Sequence, residues 1–131
     1  MLLTKKSEYA LLAFVYISNK EAYISVDEVS KELNISKTYL AKILQNFTKH
    51  DILKSNKGKN GGFKLNKNAK NINIFDIINI AENKTASVFD CSANIQECNQ
   101  KKQFCQIWPL LNNLQNKIDS FLKQLTLNDI K

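Results

Sequence analysis

The sequence predicts a mainly α protein with one small β-hairpin, organised as a winged helix-turn-helix domain followed by a long C-terminal dimerisation helix. Three observations carry that expectation. All three glycines, Gly58, Gly61 and Gly62, fall within five residues and the only proline is Pro109, so backbone breakers mark one tight turn and leave the rest free to be helical. Apolar residues outside that turn recur at helical spacing. The formal net charge of +7 is localised: residues 1–35 carry four lysines and five acids, residues 36–70 nine lysines against Asp51 alone, and residues 71–131 six of each.

The elements follow in order. The run from Tyr9 to Ile17 is apolar on nearly every face, which suits a first helix packed on two sides. Ser25 with Glu28 three residues on is a capping-box signature, and Val29 and Leu33 give a short second helix one buried side. Asn34 can take the left-handed turn that ends it. Ser36 can cap the third helix, whose apolar face is Leu40, Ile43, Leu44 and Phe47. Ile52-Leu53-Lys54-Ser55 and Phe63-Lys64-Leu65 alternate roughly about Asn60-Gly61, the pattern of a hairpin with a polar, basic tip. A helix from Ile72 to Ala81 follows. From there Ile107, Leu111, Leu114, Ile118, Phe121 and Leu125 repeat with a heptad rhythm. A long helix with one apolar seam, placed after a complete small domain, suits pairing of two subunits, which would also match a palindromic operator. The expected division is 1–82 for the winged helix-turn-helix domain, 83–105 for a cysteine-bearing sensor loop and 106–131 for the dimerisation helix.

Helix, short turn, helix and basic hairpin place the third helix in the major groove of double-stranded DNA and the wing on the neighbouring backbone or minor groove. The expected DNA-facing residues are Ser36, Lys37, Thr38, Tyr39, Lys42 and Asn46 on the helix, with Lys57, Gly58, Lys59, Asn60 and Gly61 on the wing. Residues 36–70 hold a net +8, which on charge alone suits phosphate contacts and a solvated lysine face equally; its coincidence with the helix, turn, helix and hairpin favours the first. The chain has no arginine, so the bidentate contact to guanine is absent and its lysines set affinity more than sequence choice.

At 131 residues, with 44% apolar and 24% charged side chains, the chain suits one domain with an appended arm and excludes a large multi-domain enzyme. No apolar run approaches the ~20 residues of a membrane span. The N-terminus shows no signal peptide, so the expected location is cytoplasmic, without membrane association. No paired carboxylates and no nucleophile–base motif stand out, and the single histidine, His50, lies in the DNA-binding half; an enzyme is not expected.

Cys91, Cys98 and Cys105 are the only cysteines, with six residues in each gap. An odd count in a reducing compartment argues against a disulfide framework. On a continuous helix, neighbours seven apart would be separated by about 10 Å along the axis, too far for one small metal centre. The intervening residues read instead as loops, so the thiolates can converge. Cys105 precedes the long helix, a position that lowers a thiol pKa. Three thiolates and one further ligand suit an iron–sulfur cluster or zinc; reversible thiol chemistry and simple space-filling remain open alternatives.

Several stretches together resemble the Rrf family of winged-helix transcription regulators, which includes the iron–sulfur cluster regulator and the nitric-oxide-sensing repressor. These are Leu3-Thr4-Lys5 with Tyr9-Ala10-Leu11, Asn34-Ile35-Ser36 with Tyr39-Leu40, the wing from Gly58 to Leu65, and three cysteines ahead of a long helix. The resemblance spans about residues 2–125. It implies a homodimer that binds operator DNA, usually as a repressor, with an affinity that changes as a 2Fe-2S or 4Fe-4S cluster is gained or lost. The implied ligands are Cys91, Cys98 and Cys105. The cluster regulator's histidine after its third cysteine is replaced here by Gln106-Ile107-Trp108, and the resemblance points instead to Glu8 as fourth ligand, reaching across from the partner subunit; the alternative is a surface carboxylate paired with Lys5. The family also includes cluster-free members that use thiol redox chemistry or a partner protein. Ala41 follows Tyr39-Leu40 where relatives often carry a polar or acidic residue, and Lys57 stands for a wing arginine, so the operator sequence is expected to differ.

Overall fold

The computed structural model describes residues 3–59, 61–83 and 106–130. Helix α1 (Lys5–Ser18) buries Ser7, Ala10, Ala13, Phe14 and Ile17, while Leu12 is 49% exposed; one side enters the core and the opposite side does not. Ser25 caps α2 (Val26–Leu33) by accepting from the Glu28 amide at 3.1 Å. The second half of the expected capping box is absent, because the Glu28 carboxylate accepts instead from the Tyr16 hydroxyl at 2.9 Å, an arrangement that raises the Tyr16 pKa. Asn34, in the left-handed region at φ 54°, ends α2. The amide of buried Ile35 then donates to Ser30 O at 3.0 Å, a Schellman closure that sets the entry into α3 (Lys37–Lys49).

Helix α3 buries Leu40, Ile43, Leu44 and Phe47, the apolar face expected from spacing. Phe47 meets Phe14 edge-on at 4.6 Å between centroids. Strands β1 (Leu53–Asn56) and β2 (Gly62–Leu65) pair antiparallel in the register Leu53 with Leu65 and Asn56 with Gly62. Ile24 adds a third short edge, exchanging backbone hydrogen bonds of 2.9 and 2.7 Å with Phe63. Gly62 makes this possible: its φ is +144°, and a Cβ there would overlap the Ile24 carbonyl.

A short 3₁₀ turn (Ala69–Asn71) precedes α4 (Ile74–Glu82), which starts two residues later than the spacing predicts because Asn73 caps it, accepting from the Phe75 amide at 2.9 Å. Pro109 opens α5 (Trp108–Gln124) at its first turn. The expected helix over 106–131 is interrupted after Gln124. There the Asn73 side chain donates to Lys123 O at 2.6 Å, Leu125 extends, and Thr126 with Asp129 starts a separate short helix, α6 (Leu127–Ile130). Leu127 is fully buried in the same core as α1, α3 and α4, so the end of the C-terminal arm is built into the core of the N-terminal helices. No helix among the described residues is long and apolar enough to cross a membrane.

Candidate nucleic-acid interface

Burial of Leu40, Ile43, Leu44 and Phe47 fixes which side of α3 faces away from the core. At 100° per residue, the opposite side carries Thr38, Lys42, Gln45 and Lys49, and all four are exposed. Ser36 and Lys37 are exposed at its N-terminus. Gln45 and Lys49 were not among the residues singled out from the sequence, yet the wheel that places Thr38 and Lys42 outward includes them.

Lys37 is tethered: its ammonium lies 3.6 Å from Asp27 Oδ1, while Lys31 lies 2.9 Å from Oδ2. The Lys31 hydrogen bond, with Lys37 assisting, lowers the Asp27 pKa. Asp27 thus ties α2 to the start of α3. Tyr39 is half-buried, edge-on to Tyr9 at 5.8 Å between centroids, and burial raises its pKa. Only its margin is available to a ligand. Asn46 departs from the expected outward orientation. Its side-chain amide donates to Ile80 O at 2.9 Å and to Asn83 Oδ1 at 3.0 Å, so both protons are committed to the end of α4. It stands about 70° from the centre of the outward face, a position at which sequence alone does not decide between solvent and a neighbouring helix.

On the wing, Lys57, Gly58 and Lys59 are exposed and the Gly61 amide closes a turn on Gly58 O at 3.0 Å; Asn60 lies outside the described residues. A Cβ at Gly61 would overlap the Asn56 carbonyl, and Gly58 takes φ +102°, so both positions require glycine for turn geometry. Strand pairing sets Lys54 directly opposite Lys64. Like charges facing each other across a strand pair are unfavourable in isolation and become favourable beside a polyanion.

Away from this surface, a cleft of about 670 Å³ runs along α1, lined by Glu8, Leu11, Leu12, Val15, Leu33 and Ile130. Glu8 is exposed and its Oε2 lies 3.1 Å from Lys5 Nζ, the pairing weighed above as the alternative to a ligand role. No cluster of three or more potential metal-ligating side chains occurs among the described residues. Cys91, Cys98 and Cys105, and with them most of the expected sensor loop, lie outside those residues. The fit of a cluster therefore rests on donor chemistry: three thiolates are the donors that iron–sulfur centres take, and Glu8, exposed on α1, is an oxygen donor for a remaining iron.

Residues 3–131 match the model of a family described as Rrf2, iron-dependent transcriptional regulator. A protein of Aquifex aeolicus described as an HTH-type transcriptional regulator is 28% identical over 132 residues, covering 99% of this chain and 91% of that one. Among solved structures, the T. potens IscR superposes with a TM-score of 0.77 at 20% identity, covering 99% of this chain and 85% of that one. CymR (YrzC), the global cysteine regulator of B. subtilis, also gives 0.77 at 20% identity, covering 99% and 95%.

Proposed function

The chain belongs to the Rrf2 family of transcriptional regulators, and from that premise we propose that it binds operator DNA as a homodimeric repressor under the control of an iron–sulfur cluster. Regulation of transcription through DNA, without enzymatic activity, comes with the family. The observation that supports the DNA-binding surface is the outward face of α3, where Thr38, Lys42, Gln45 and Lys49 are all exposed, followed along the chain by a wing whose Lys57 and Lys59 are exposed too. Thr38 and Gln45 can donate to and accept from base edges; Ser36, Lys42, Lys49, Lys57 and Lys59, with the amides of the Gly58–Gly61 turn, would hold phosphates. Lys37 and Tyr39 flank the helix start, orienting it more than reading sequence.

Dimer formation is supported by two apolar faces of the same chain. The cleft on α1 is one; the other is a stripe on α5 in which Leu110 is 66% and Phe121 61% exposed, continued by Ile107 and Leu114. A second copy can seat its α5 against the α1 cleft and receive the reciprocal contact, removing both faces from water. Glu8 lines that cleft, and Cys105 stands three residues ahead of α5 in the sequence. The same docking would bring the partner's thiolate segment toward Glu8. Bound at Cys91, Cys98 and Cys105 with Glu8 of the other chain, a cluster supplies an oxidant- and nitric-oxide-sensitive centre; the carboxylate is a weak, exchangeable ligand for iron. What the chain's own residues do is hold the centre at the dimer boundary and leave the DNA face free.

A cluster-free regulator acting through its thiols or through a partner protein is the second reading; the fold is as similar to that of the cysteine regulator CymR as to that of IscR. Anaerobic purification separates the two. A cluster gives brown or red protein whose visible absorption is lost on replacing all three cysteines by serine and altered in Glu8→Ala. Colourless protein that cannot be reconstituted with ferrous iron and sulfide leaves the cluster-free reading.

A further inference from the structure

The last turn of α4 is bound to both helices that frame the DNA face. Glu82 Oε1 accepts from the Ser7 hydroxyl at 2.6 Å, from the Thr4 hydroxyl, and from the Thr4 amide at 3.3 Å, which holds the start of α1. Asn83 takes the left-handed conformation at φ 57° and its amide closes the helix on Asn79 and Ile80 carbonyls. Its side-chain oxygen and the Ile80 carbonyl then share the Asn46 amide of α3. Directly after Asn83 the chain enters the stretch that contains every cysteine.

We propose that Asn46 is a positioning residue that couples the cysteine-bearing stretch to the placement of α3 on DNA, through its paired hydrogen bonds to Ile80 and Asn83. This rests on the reading that the cysteines govern operator binding. The body of α4 is anchored by Ile74, Ile77, Ile78 and Ala81, all buried, so a pull on the chain beyond Asn83 falls on the last turn. There the Asn46 amide transmits it. Asn46 lies one turn from both Lys42 and Lys49 on α3, and a helix shift at Asn46 moves those two lysines together. A cleft of about 300 Å³ lined by Lys6, Tyr39, Lys42, Asn46 and Asn83 flanks the contact, leaving room for displacement that a packed core would refuse. An amide suits the role because its two protons reach two acceptors at once, one on the body of α4 and one on the residue that leaves it.

The test compares operator affinity, measured by fluorescence anisotropy on a duplex selected by the chain from a random pool, before and after anaerobic reconstitution with ferrous iron and sulfide, and separately after alkylation with N-ethylmaleimide. Asn46→Leu keeps the branched shape and the number of heavy atoms and removes both donations. Asn83→Gly keeps the left-handed cap and removes one acceptor, and Asn83→Asp keeps that acceptor. Two ordinary hydrogen bonds can carry a coupling on the order of tenfold. The expected result is a wild-type affinity change that collapses toward one in Asn46→Leu, is partly lost in Asn83→Gly and is retained in Asn83→Asp. A wild-type response undiminished in both Asn46→Leu and Asn83→Gly overturns the coupling and leaves the cysteine reading standing. If wild type responds to neither treatment, the cysteine reading itself fails and the coupling with it. Should Asn46→Leu melt early, Asn83→Gly against Asn83→Asp carries the comparison.

Discussion

Replacing Lys57 by glutamine tests the electrostatic footprint with a number attached. Lys42 and Lys49 on α3 and Lys54, Lys57 and Lys59 on the wing are exposed and form no ion pair among the described residues; in the proposed homodimer, with all five on phosphates, they would make about ten contacts and give a log–log salt slope of about −9. Between 50 and 200 mM salt that is a loss of affinity on the order of 10⁵. Lys57→Gln removes one contact per subunit and flattens the slope by about 1.8, so the variant loses roughly tenfold less affinity than wild type over the same range. Lys37 is the internal control. Its ammonium already sits 3.6 Å from Asp27, so Lys37→Gln flattens the slope less than Lys57→Gln. Anisotropy titrations at four potassium chloride concentrations measure both. An unchanged slope in Lys57→Gln, or an equal flattening in Lys117→Gln on α5, would refute the assignment of the DNA face.

Other expectations concern the scaffold. Gly62→Ala forces a methyl into the Ile24 carbonyl at a φ of +144° and is expected to cost more than ~1 kcal/mol, at least roughly 4 °C in thermal melts; equal melting temperatures would contradict the close approach. Leu127→Ala opens a fully buried site and is expected to cost about 2–5 kcal/mol in urea unfolding, whereas a C-terminal arm independent of the domain would show no loss. The Asp27 pKa is depressed by Lys31 and Lys37, so its contribution to stability is present above the unfolded carboxylate pKa of about 4 and is lost as pH falls through the lower folded value. Asp27→Asn should therefore flatten the acid limb of the stability–pH curve. A limb identical to wild type would show the pair to be screened out.

The helix-turn-helix was legible because each boundary has a local chemical cause: Ser25 accepts from the Glu28 amide, Asn34 takes the left-handed turn, and four apolar residues at helical spacing orient α3. The wing was legible for the same reason, since Gly58 and Gly61 are required by its own turn geometry. The break in α5 was not. Leu125 continues the heptad rhythm, but Asn73, 50 residues away, takes the Lys123 carbonyl, and Leu127 finds a place in the core. Asn46 was misplaced by a similar competition. A polar residue at the border of a helix face reads as solvent-facing until a distant carbonyl claims it, and Ile80 lies 34 residues on.

These two long-range bonds change how signal and DNA face are connected. From the sequence, Glu8 made α1 the natural link, because a ligand on α1 would place that helix at the cluster. In the fold, the start of α1 is itself held by Glu82, next to Asn83. Residues 80–83 are thus a junction at which the exit to the cysteines, the N-terminus of α1 and the flank of α3 meet. If Glu8 engages a cluster on the partner, force enters this junction through Ser7 and Thr4; if it does not, force still enters along the backbone at Asn83. The two routes separate experimentally: Glu8→Ala removes the first and leaves the second, whereas Asn46→Leu blocks the exit common to both. A cluster response that survives Glu8→Ala but not Asn46→Leu assigns transmission to the end of α4.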